Sequence, residues 1–217
     1  MNIVRPSLPK SCRIICVSDI HAYLDDFKTL LEKCGYGPDT DYLFILGDII
    51  EKGTDNISTL NYVQKLCQNP KTIFIQGNND TMPCRMAFND GKSRFFDRLQ
   101  SRPTNTFVQM AETIGITDFT ENFEQKRQKV TEAYRSQLDF IQNAPIAIET
   151  KDFIFVHAAI ENALIGKTAT HSQYWRSRGF FATTTVSPKP SSAATTPPTT
   201  SSVVTAQISR FSTKTSA

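Results

Sequence analysis

Four apolar segments of the chain are each followed directly by polar or charged residues. They occupy residues 13–17, 43–46, 71–76 and 153–156. Continuous apolar runs of this length, bounded by glycine or polar residues, are typical of strands buried in a parallel sheet. Parallel strands present the residues at their C-terminal ends along one rim, where α/β folds bind ligands. We therefore expect the polar groups that follow the four runs to form one site.

Apolar residues at helical spacing lie between these runs. The first set comprises Leu24, Phe27, Leu30, Leu31 and Cys34, and the second comprises Ile57, Leu60, Val63, Leu66 and Cys67. Gly35 ends the first pattern and Pro70 follows the second, as expected at helix ends. Strand, helix and strand in this order predict right-handed βαβ crossovers, and hence an α/β fold.

Residues 82–144 have a different pattern, which predicts a helical cap beside the site. Helices are expected near residues 93–100 and 105–114, with a longer one near 121–141. Four arginines fall in this cap, namely Arg85, Arg94, Arg98 and Arg102. Arginines on helices usually face water, so we favour solvated charges for most of them, with substrate selection as the alternative.

The chain divides by composition into residues 1–186 and a tail at 187–217. With 39% apolar residues in 217, the first part can bury a substantial core as one domain. The tail is rich in serine, threonine and proline, so it is expected to be disordered.

The net charge of +3 conceals an acidic body. All 21 acidic residues lie at or before Glu161, whereas six of the 24 basic residues follow it. The first 161 residues therefore carry a net charge of −3, and we expect no nucleic-acid partner.

The five cysteines are Cys12, Cys16, Cys34, Cys67 and Cys84. Most lie within apolar runs and no pair has CxxC spacing, so we expect reduced core residues in a cytoplasmic protein, not a zinc site. Prolines and charges interrupt the first 17 residues, and no apolar run approaches the length of a membrane span. Neither a signal peptide nor a membrane partner is expected.

The residues that follow the four runs carry metal-binding side chains. They are Asp19 and His21, Asp48, Asn78 with Asn79 and Asp80, and His157. Each group alone would more often belong to a turn or a helix cap. Together on one sheet rim, carboxylates and imidazoles are costly unless a cation compensates them, so we interpret the set as a metal centre.

These residues stand in four blocks that resemble the calcineurin-like metallophosphoesterases. The blocks are Asp19-Ile20-His21, Gly47-Asp48-Ile49-Ile50-Glu51-Lys52-Gly53, Gly77-Asn78-Asn79-Asp80 and Val156-His157-Ala158. The resemblance is to the branch of bacterial protein-phosphatase-like and dinucleotide-polyphosphate hydrolase enzymes, over residues 13 to 180. It implies a β-sandwich flanked by helices, with an incomplete second sheet because the match fades towards the C-terminus.

The resemblance implies a centre of two divalent cations. Asp19 and His21 would hold the first, Asn78 and His157 the second, and Asp48 would bridge them. Mixed oxygen and nitrogen ligands favour manganese, with iron or zinc as alternatives. The implied reaction is attack of a metal-activated hydroxide on a phosphomonoester, a phosphoprotein or a nucleotide polyphosphate.

The chain departs from the family pattern at two site positions. Lys52 stands where an arginine is usual, so it would bind phosphate as a point charge without a bidentate fork. Asn79 stands where a histidine is usual; it would bind the phosphate but could not deliver a proton, and Asp80 would substitute in part. Arg176 and Arg178, in a Tyr-Trp-Arg-Ser-Arg stretch, are the candidate arginines for the substrate phosphate.

The C-terminal region departs further. The family has a glycine-histidine motif there that supplies another metal ligand, whereas this chain has no histidine after His171. We expect His171 to be an exposed loop residue. The abrupt change to an acid-free sequence predicts a frameshifted or truncated reading frame, with a native tail as the alternative. The second functional hypothesis is accordingly a degenerate, catalytically weak member that acts as a binding module, or a truncated gene product.

Overall fold

A parallel sheet carries the loops of the candidate site. The computed structural model describes residues 2–102, 105–157, 185–188 and 202–207. Strands β2 (Arg13–Ser18), β3 (Tyr42–Leu46) and β4 (Thr72–Ile75) pair in parallel, as the apolar runs predict. Helix α1 (Leu24–Lys33) connects β2 to β3, and α2 (Asn56–Leu66) connects β3 to β4. The sequence-predicted βαβ crossovers are therefore present.

A mixed sheet faces the parallel one. It orders β1 (Ile3–Val4), β5 (Ala147–Glu149), β6 (Phe153–Val156) and β7 (Thr185–Pro188). Strand β1 runs parallel to β5, whereas β5, β6 and β7 are antiparallel neighbours. The second sheet, expected to be incomplete, has four strands in the described part of the chain.

Two apolar layers lie on opposite faces of the parallel sheet, because alternate residues of each strand point to opposite faces. Between the sheets lie Ile14, Cys16, Phe44, Leu46, Ile75, Ile148 and Phe155. The rings of Phe44 and Phe155 meet edge to face, with centroids 5.1 Å apart. On the other face Ile15, Val17, Leu43 and Ile45 pack in the helical layer. The architecture is therefore the predicted sandwich flanked by helices.

The segment predicted to form a cap is helical. It contains α3 (Thr81–Cys84), a π-helical turn at Arg85–Asn89, α4 (Lys92–Ser101), α5 (Thr106–Thr113), α6 (Phe123–Ala133) and α7 (Arg135–Asn143). The prediction of a single helix at 121–141 is wrong. The helix is interrupted at Tyr134, whose φ and ψ of −114° and 24° are not helical. The predicted apolar stripe persists across the break, since Val130, Leu138 and Ile141 are all buried. An apolar stripe thus identifies a buried face but does not reveal a break in the helix that carries it.

Two strands fall in or beside the segment for which composition predicts disorder. Strand β7 ends at Pro188, and β8 (Ser202–Gln207) pairs in parallel with β2 at the edge of the parallel sheet. Residues 203–205 are Val-Val-Thr, and such β-branched residues favour strands, a local signal that the overall composition obscured. The rest of the tail lies outside the described residues.

The structure describes all five cysteines without a disulfide between them, and Cys16 and Cys84 are buried. Burial raises the pKa of Cys16, Cys67 and Cys84 to about 12.

Among the described residues, none of the helices combines the length and the apolar character needed to cross a bilayer.

Candidate metal centre

Two loops that follow neighbouring strands form the floor of the site. Three backbone hydrogen bonds of 2.8–3.1 Å join the loop after β2 to the loop after β3. The donors are the backbone nitrogens of Asp19, His21 and Ala22, and the acceptors are, in the same order, the carbonyls of Gly47, Asp48 and Ile49. Asp19, His21 and Asp48 all have positive φ, at 56°, 49° and 54°. Non-glycine residues rarely adopt this conformation, which costs free energy and tends to cluster at functional sites. The loops are thus held in a strained form that aims three ligand side chains together.

Gly47 and Gly77 permit the close approach of these loops. A Cβ on Gly47 would lie 2.7 Å from the backbone of Gly77 and from Nδ1 of His157. A Cβ on Gly77 would collide with the backbone nitrogen of Asp48. Glycine is therefore required at both positions by contact with the site itself.

Asp19, His21 and Asp48 form the first ligand group, with their ligand atoms all within 4.8 Å of one another. Nε2 of His21 lies 3.5 Å from Oδ1 of Asp19 and 3.7 Å from Oδ2 of Asp48. Nδ1 of His21 donates to the carbonyl of Ile50 at 3.2 Å, which directs Nε2 to the carboxylates. This ring orientation is typical of histidines that ligate metals.

A second group lies on the other side of Asp48. Nε2 of His157 is 3.4 Å from Oδ1 of Asp48 and 3.3 Å from Oδ1 of Asn78. Nδ1 of His157 donates to the carbonyl of Leu46 at 2.8 Å, so here too Nε2 faces the site. Each carboxylate oxygen of Asp48 therefore faces a different imidazole. The carboxylate, amide and imidazole donors around Asp48 are of the types that bind divalent cations.

The titration of Asp48 and His157 reflects their contact. Burial opposes the charge of Asp48, yet the hydrogen bond and charge of His157, with two hydrogen bonds from Asn79, lower its pKa to about 2. Burial likewise opposes the charge of His157, but Asp48 raises the pKa of this imidazole to about 9. In the metal-free protein the two groups therefore form an ion pair near neutral pH.

Asn79 and Asp80 surround Asp48 from the loop after β4. The side chain and the backbone nitrogen of Asn79 both donate to Asp48, at 2.6 and 2.9 Å. Asp80 is fully buried and accepts backbone hydrogen bonds from Asp48, Ile49, Ile50 and Gly77. Burial, together with the charge of Asp48, raises the pKa of Asp80 to about 7. Both carboxylate oxygens of Asp80 accept hydrogen bonds from this backbone, and its expected part in proton delivery stays a prediction.

The predicted phosphate-binding residues divide between described and undescribed parts of the chain. Lys52 is exposed at the rim, and its Nζ lies 2.7 Å from Nε2 of His21. Arg176, Arg178 and His171 lie outside the described residues, so their predicted roles stay predictions.

Two residues outside the predicted set of site residues touch these loops. Arg102 of the cap donates from Nη1 to Oδ1 of Asn79 at 3.0 Å, although cap arginines were expected mainly to face water. Glu51 is buried and accepts a hydrogen bond at 3.0 Å from the backbone nitrogen of Thr106, at the start of α5. Glu51 stands in the same block as Asp48 and Lys52, which was a usable signal. No sequence signal separated Arg102 from the other cap arginines.

Comparison with known proteins places these blocks in a family. The sequence model of the calcineurin-like phosphoesterases matches residues 12–186. A symmetrical bis(5'-nucleosyl)-tetraphosphatase of Buchnera aphidicola is 31% identical over 90 residues, covering 40% of this chain and 32% of that protein. One from Dechloromonas aromatica is 24% identical over 144 residues, covering 66% of this chain and 42% of that protein. The chain thus spans well under half the length of these relatives.

Among solved structures, the fold is similar to a putative diadenosine tetraphosphatase, with a TM-score of 0.44, 14% identity, and coverage of 73% of this chain and 55% of that one. A serine/threonine phosphatase of Saccharomyces cerevisiae gives a TM-score of 0.41 at 14% identity, with coverage of 80% and 49%.

Proposed function

Because this chain belongs to the calcineurin-like phosphoesterase family, we propose that it hydrolyses phosphate esters or phosphoanhydrides with two divalent cations. The observation that carries the proposal is the position of Asp48, whose two oxygens lie 3.7 and 3.4 Å from the Nε2 atoms of His21 and His157. A carboxylate between two such imidazoles is the arrangement that a bridging ligand requires.

The ligand roles follow from that arrangement. Asp19 and His21 would hold one cation, Asn78 and His157 the other, and Asp48 would bind both. Manganese is our first choice because the donors mix nitrogen and oxygen, with iron or zinc as alternatives. When bound, the cations would supply a water of lowered pKa and neutralise the phosphate oxygens.

The residues around the cations would bind and orient the substrate. Lys52 lies at the rim, where its ammonium can neutralise a phosphate oxygen as a point charge. Asn79 donates to both oxygens of Asp48, and the second N–H of its side-chain amide would serve the substrate. Asp80 would act through Asp48, by holding the loop that carries it.

The substrate class that we propose is a nucleotide polyphosphate. Asn79 cannot give a proton to a departing alkoxide, which penalises the serine and threonine leaving groups of phosphoproteins more than phosphoanhydride oxygens. The curated relatives named above are tetraphosphatases, which agrees with this preference.

The test is turnover by the full chain with Mn²⁺, using an aryl phosphate, diadenosine tetraphosphate and a phosphoserine peptide. We expect hydrolysis of the first two, and Asp48→Asn should lower it by at least about 10- to 100-fold, because removing a metal-site residue costs at least as much as an outer-shell partner. Asp25→Asn is the matched control, since the Asp25 side chain is 93% exposed. Equal activity in Asp48→Asn would contradict the proposal, and a metal-loaded protein without turnover would favour the binding-module hypothesis.

A further inference from the structure

Arg102 enters the site from the cap. It follows the last residue of α4, and its Nη1 donates to Oδ1 of Asn79, whose amide nitrogen donates in turn to Asp48. Arg102 is exposed, and the contact of its Nη1 with Asn79 places the guanidinium beside the loop that follows β4. A cation in this position is one side chain removed from the proposed bridging carboxylate.

The backbone of Arg102 is held in place by buried groups. Asn105, which is 1% exposed, donates from Nδ2 to the carbonyl of Arg102 at 2.8 Å and accepts from the backbone nitrogen of Val108. The next residue, Thr106, donates its backbone nitrogen to Glu51 of the loop that follows β3. The chain of contacts therefore closes from Asp48 through Glu51, Asn105 and Arg102 back to Asn79. These contacts fix the position of the Arg102 backbone relative to the site.

The four cap arginines differ in their partners. Arg98 is ion-paired with Asp90, whose side chain is 3% exposed. The charge of Arg98 is therefore neutralised within the protein. Arg85 and Arg94 are exposed, and their side chains form neither a hydrogen bond nor an ion pair within the described ranges. Arg102 has one hydrogen bond, to a neutral amide, and no carboxylate partner in the same part of the chain. Of five guanidinium donors, one is engaged, and the others suit an anion.

We propose that Arg102 binds a phosphate oxygen of the substrate beside Asn79. It would supply the planar guanidinium that the loop after β3 lacks, because position 52 is lysine. The inference rests on the proposed function, since it names the group that recognises the phosphate of the same site.

The test compares Arg102→Ala, Arg102→Lys and Arg94→Ala with the unaltered chain, all full length and supplied with Mn²⁺. The probe is inorganic phosphate, whose dissociation constant is measured by calorimetry, and steady-state kinetics with an aryl phosphate run in parallel. Arg94→Ala removes the same charge from an exposed position within α4, the helix that precedes Arg102. Thermal melting reports whether each variant folds.

We expect Arg102→Ala to weaken phosphate binding by about 10- to 100-fold, as for the loss of a charge-assisted hydrogen bond, and to raise KM more than it lowers kcat. Arg102→Lys should restore part of the affinity but bind phosphate several-fold more weakly than the unaltered chain. This variant keeps the inference testable if Arg102→Ala does not fold. Arg94→Ala should bind phosphate normally.

Two outcomes overturn the inference. In one, Arg102→Ala binds phosphate as tightly as Arg94→Ala while kcat falls, so that Arg102 only positions Asn79; in the other, the unaltered chain does not bind phosphate. Phosphate binding that depends on Arg102, in a chain that does not turn over any substrate, would sustain the inference and refute the proposed hydrolysis. Turnover that is indifferent to Arg102 would do the reverse.

Discussion

The two sides of Asp48 are built in different ways. On one side, Asp19 and His21 come from a single turn that is tied by three backbone hydrogen bonds to the loop after β3. On the other side, Asn78 follows β4 of the parallel sheet and His157 follows β6 of the mixed sheet. Asn78 is exposed, whereas Asp19 and His21 are buried. The first half of the centre is therefore formed by adjacent loops, whereas the second exists only when the two sheets pack.

This difference predicts that the two proposed cation sites fill unequally. The first side offers two carboxylates and an imidazole, whereas the second, among the described residues, offers Asp48, the amide of Asn78 and the imidazole of His157. The second side has one carboxylate fewer, and its amide ligand, Asn78, is exposed. It should therefore bind a divalent cation more weakly than the first side.

The largest expected effect comes from removing one imidazole at a time. A titration of the unaltered chain with Mn²⁺ should give one tight and one weak event, with activity appearing as the weak site fills. His21→Ala should weaken the tight event, and His157→Ala the weak one, each by at least the roughly 10–100-fold typical of losing an outer-shell partner. Calorimetry with parallel activity assays measures both.

The third histidine of the chain, His171, provides the control. His171→Ala should leave both events unchanged, because we expect it to lie in an exposed loop. Two equally tight events, one of which disappears in His171→Ala, would mean that the second side has a ligand beyond Asn78 and His157.

The next effect should be common to both sides. Asp80 accepts four backbone hydrogen bonds beneath Asp48, and Asp80→Asn would replace one accepting oxygen by a donor facing N–H groups. We expect a loss of about 3 kcal/mol in the free energy of unfolding, because each buried unpaired N–H costs roughly 1–3 kcal/mol. Chemical denaturation measures it, with the exposed Asp97→Asn as control. A variant as stable as the control would show that the loop does not depend on this carboxylate.

The second side should also respond to pH in the metal-free protein. The folded pKa of His157 is about 9, above its unfolded value of 6.5, so its stabilising contribution is complete below pH 6.5 and is lost as pH rises through 9. Asp80, whose pKa is about 7, is mostly ionised above that pH and changes little further. We expect a loss of about 2 kcal/mol in the free energy of unfolding between pH 7 and pH 9. His157→Gln, measured by denaturation at both pH values, should remove most of this slope; a slope unchanged in that variant would assign it elsewhere.

The same contrast explains how far sequence reasoning reached. The apolar runs predicted β2, β3, β4 and β6, because a buried strand needs a continuous apolar segment whatever its partners are. The polar residues after β2, β3 and β4 were predicted to meet because parallel strands share one rim, but β6 lies in the other sheet, between antiparallel neighbours. Asn78 and His157 meet through the packing of two sheets, which the family resemblance implied and no local pattern could establish.

What the sequence did not reveal depends on contacts between distant segments. Arg102 looks like any other cap arginine until the fold brings its side chain to Asn79. Asp80 looks like a spare acid until four N–H groups are found around it. The break at Tyr134 has no glycine or proline to announce it, so the apolar stripe predicted one helix. Strand β8 lay in a segment whose composition obscured a short β-branched run.

The smallest effect should come from the link between the first side and the cap. Glu51 belongs to the loop of Asp48, and its Oε1 accepts from the backbone nitrogen at the start of α5. Glu51→Gln keeps an accepting oxygen but removes the negative charge from the positive end of the helix dipole. We expect a loss of about 0.5–1 kcal/mol in the free energy of unfolding, with faster proteolysis of the cap.

Glu112→Gln, near the other end of α5 and exposed, makes the same change of charge where the dipole disfavours an acid, so it should be neutral or slightly stabilising. Because Arg102 is anchored through the start of α5, Glu51→Gln should also weaken phosphate binding several-fold without altering the tight Mn²⁺ event. If it weakens that event instead, Glu51 supports the first side of the centre directly, and the cap is not the element through which it acts.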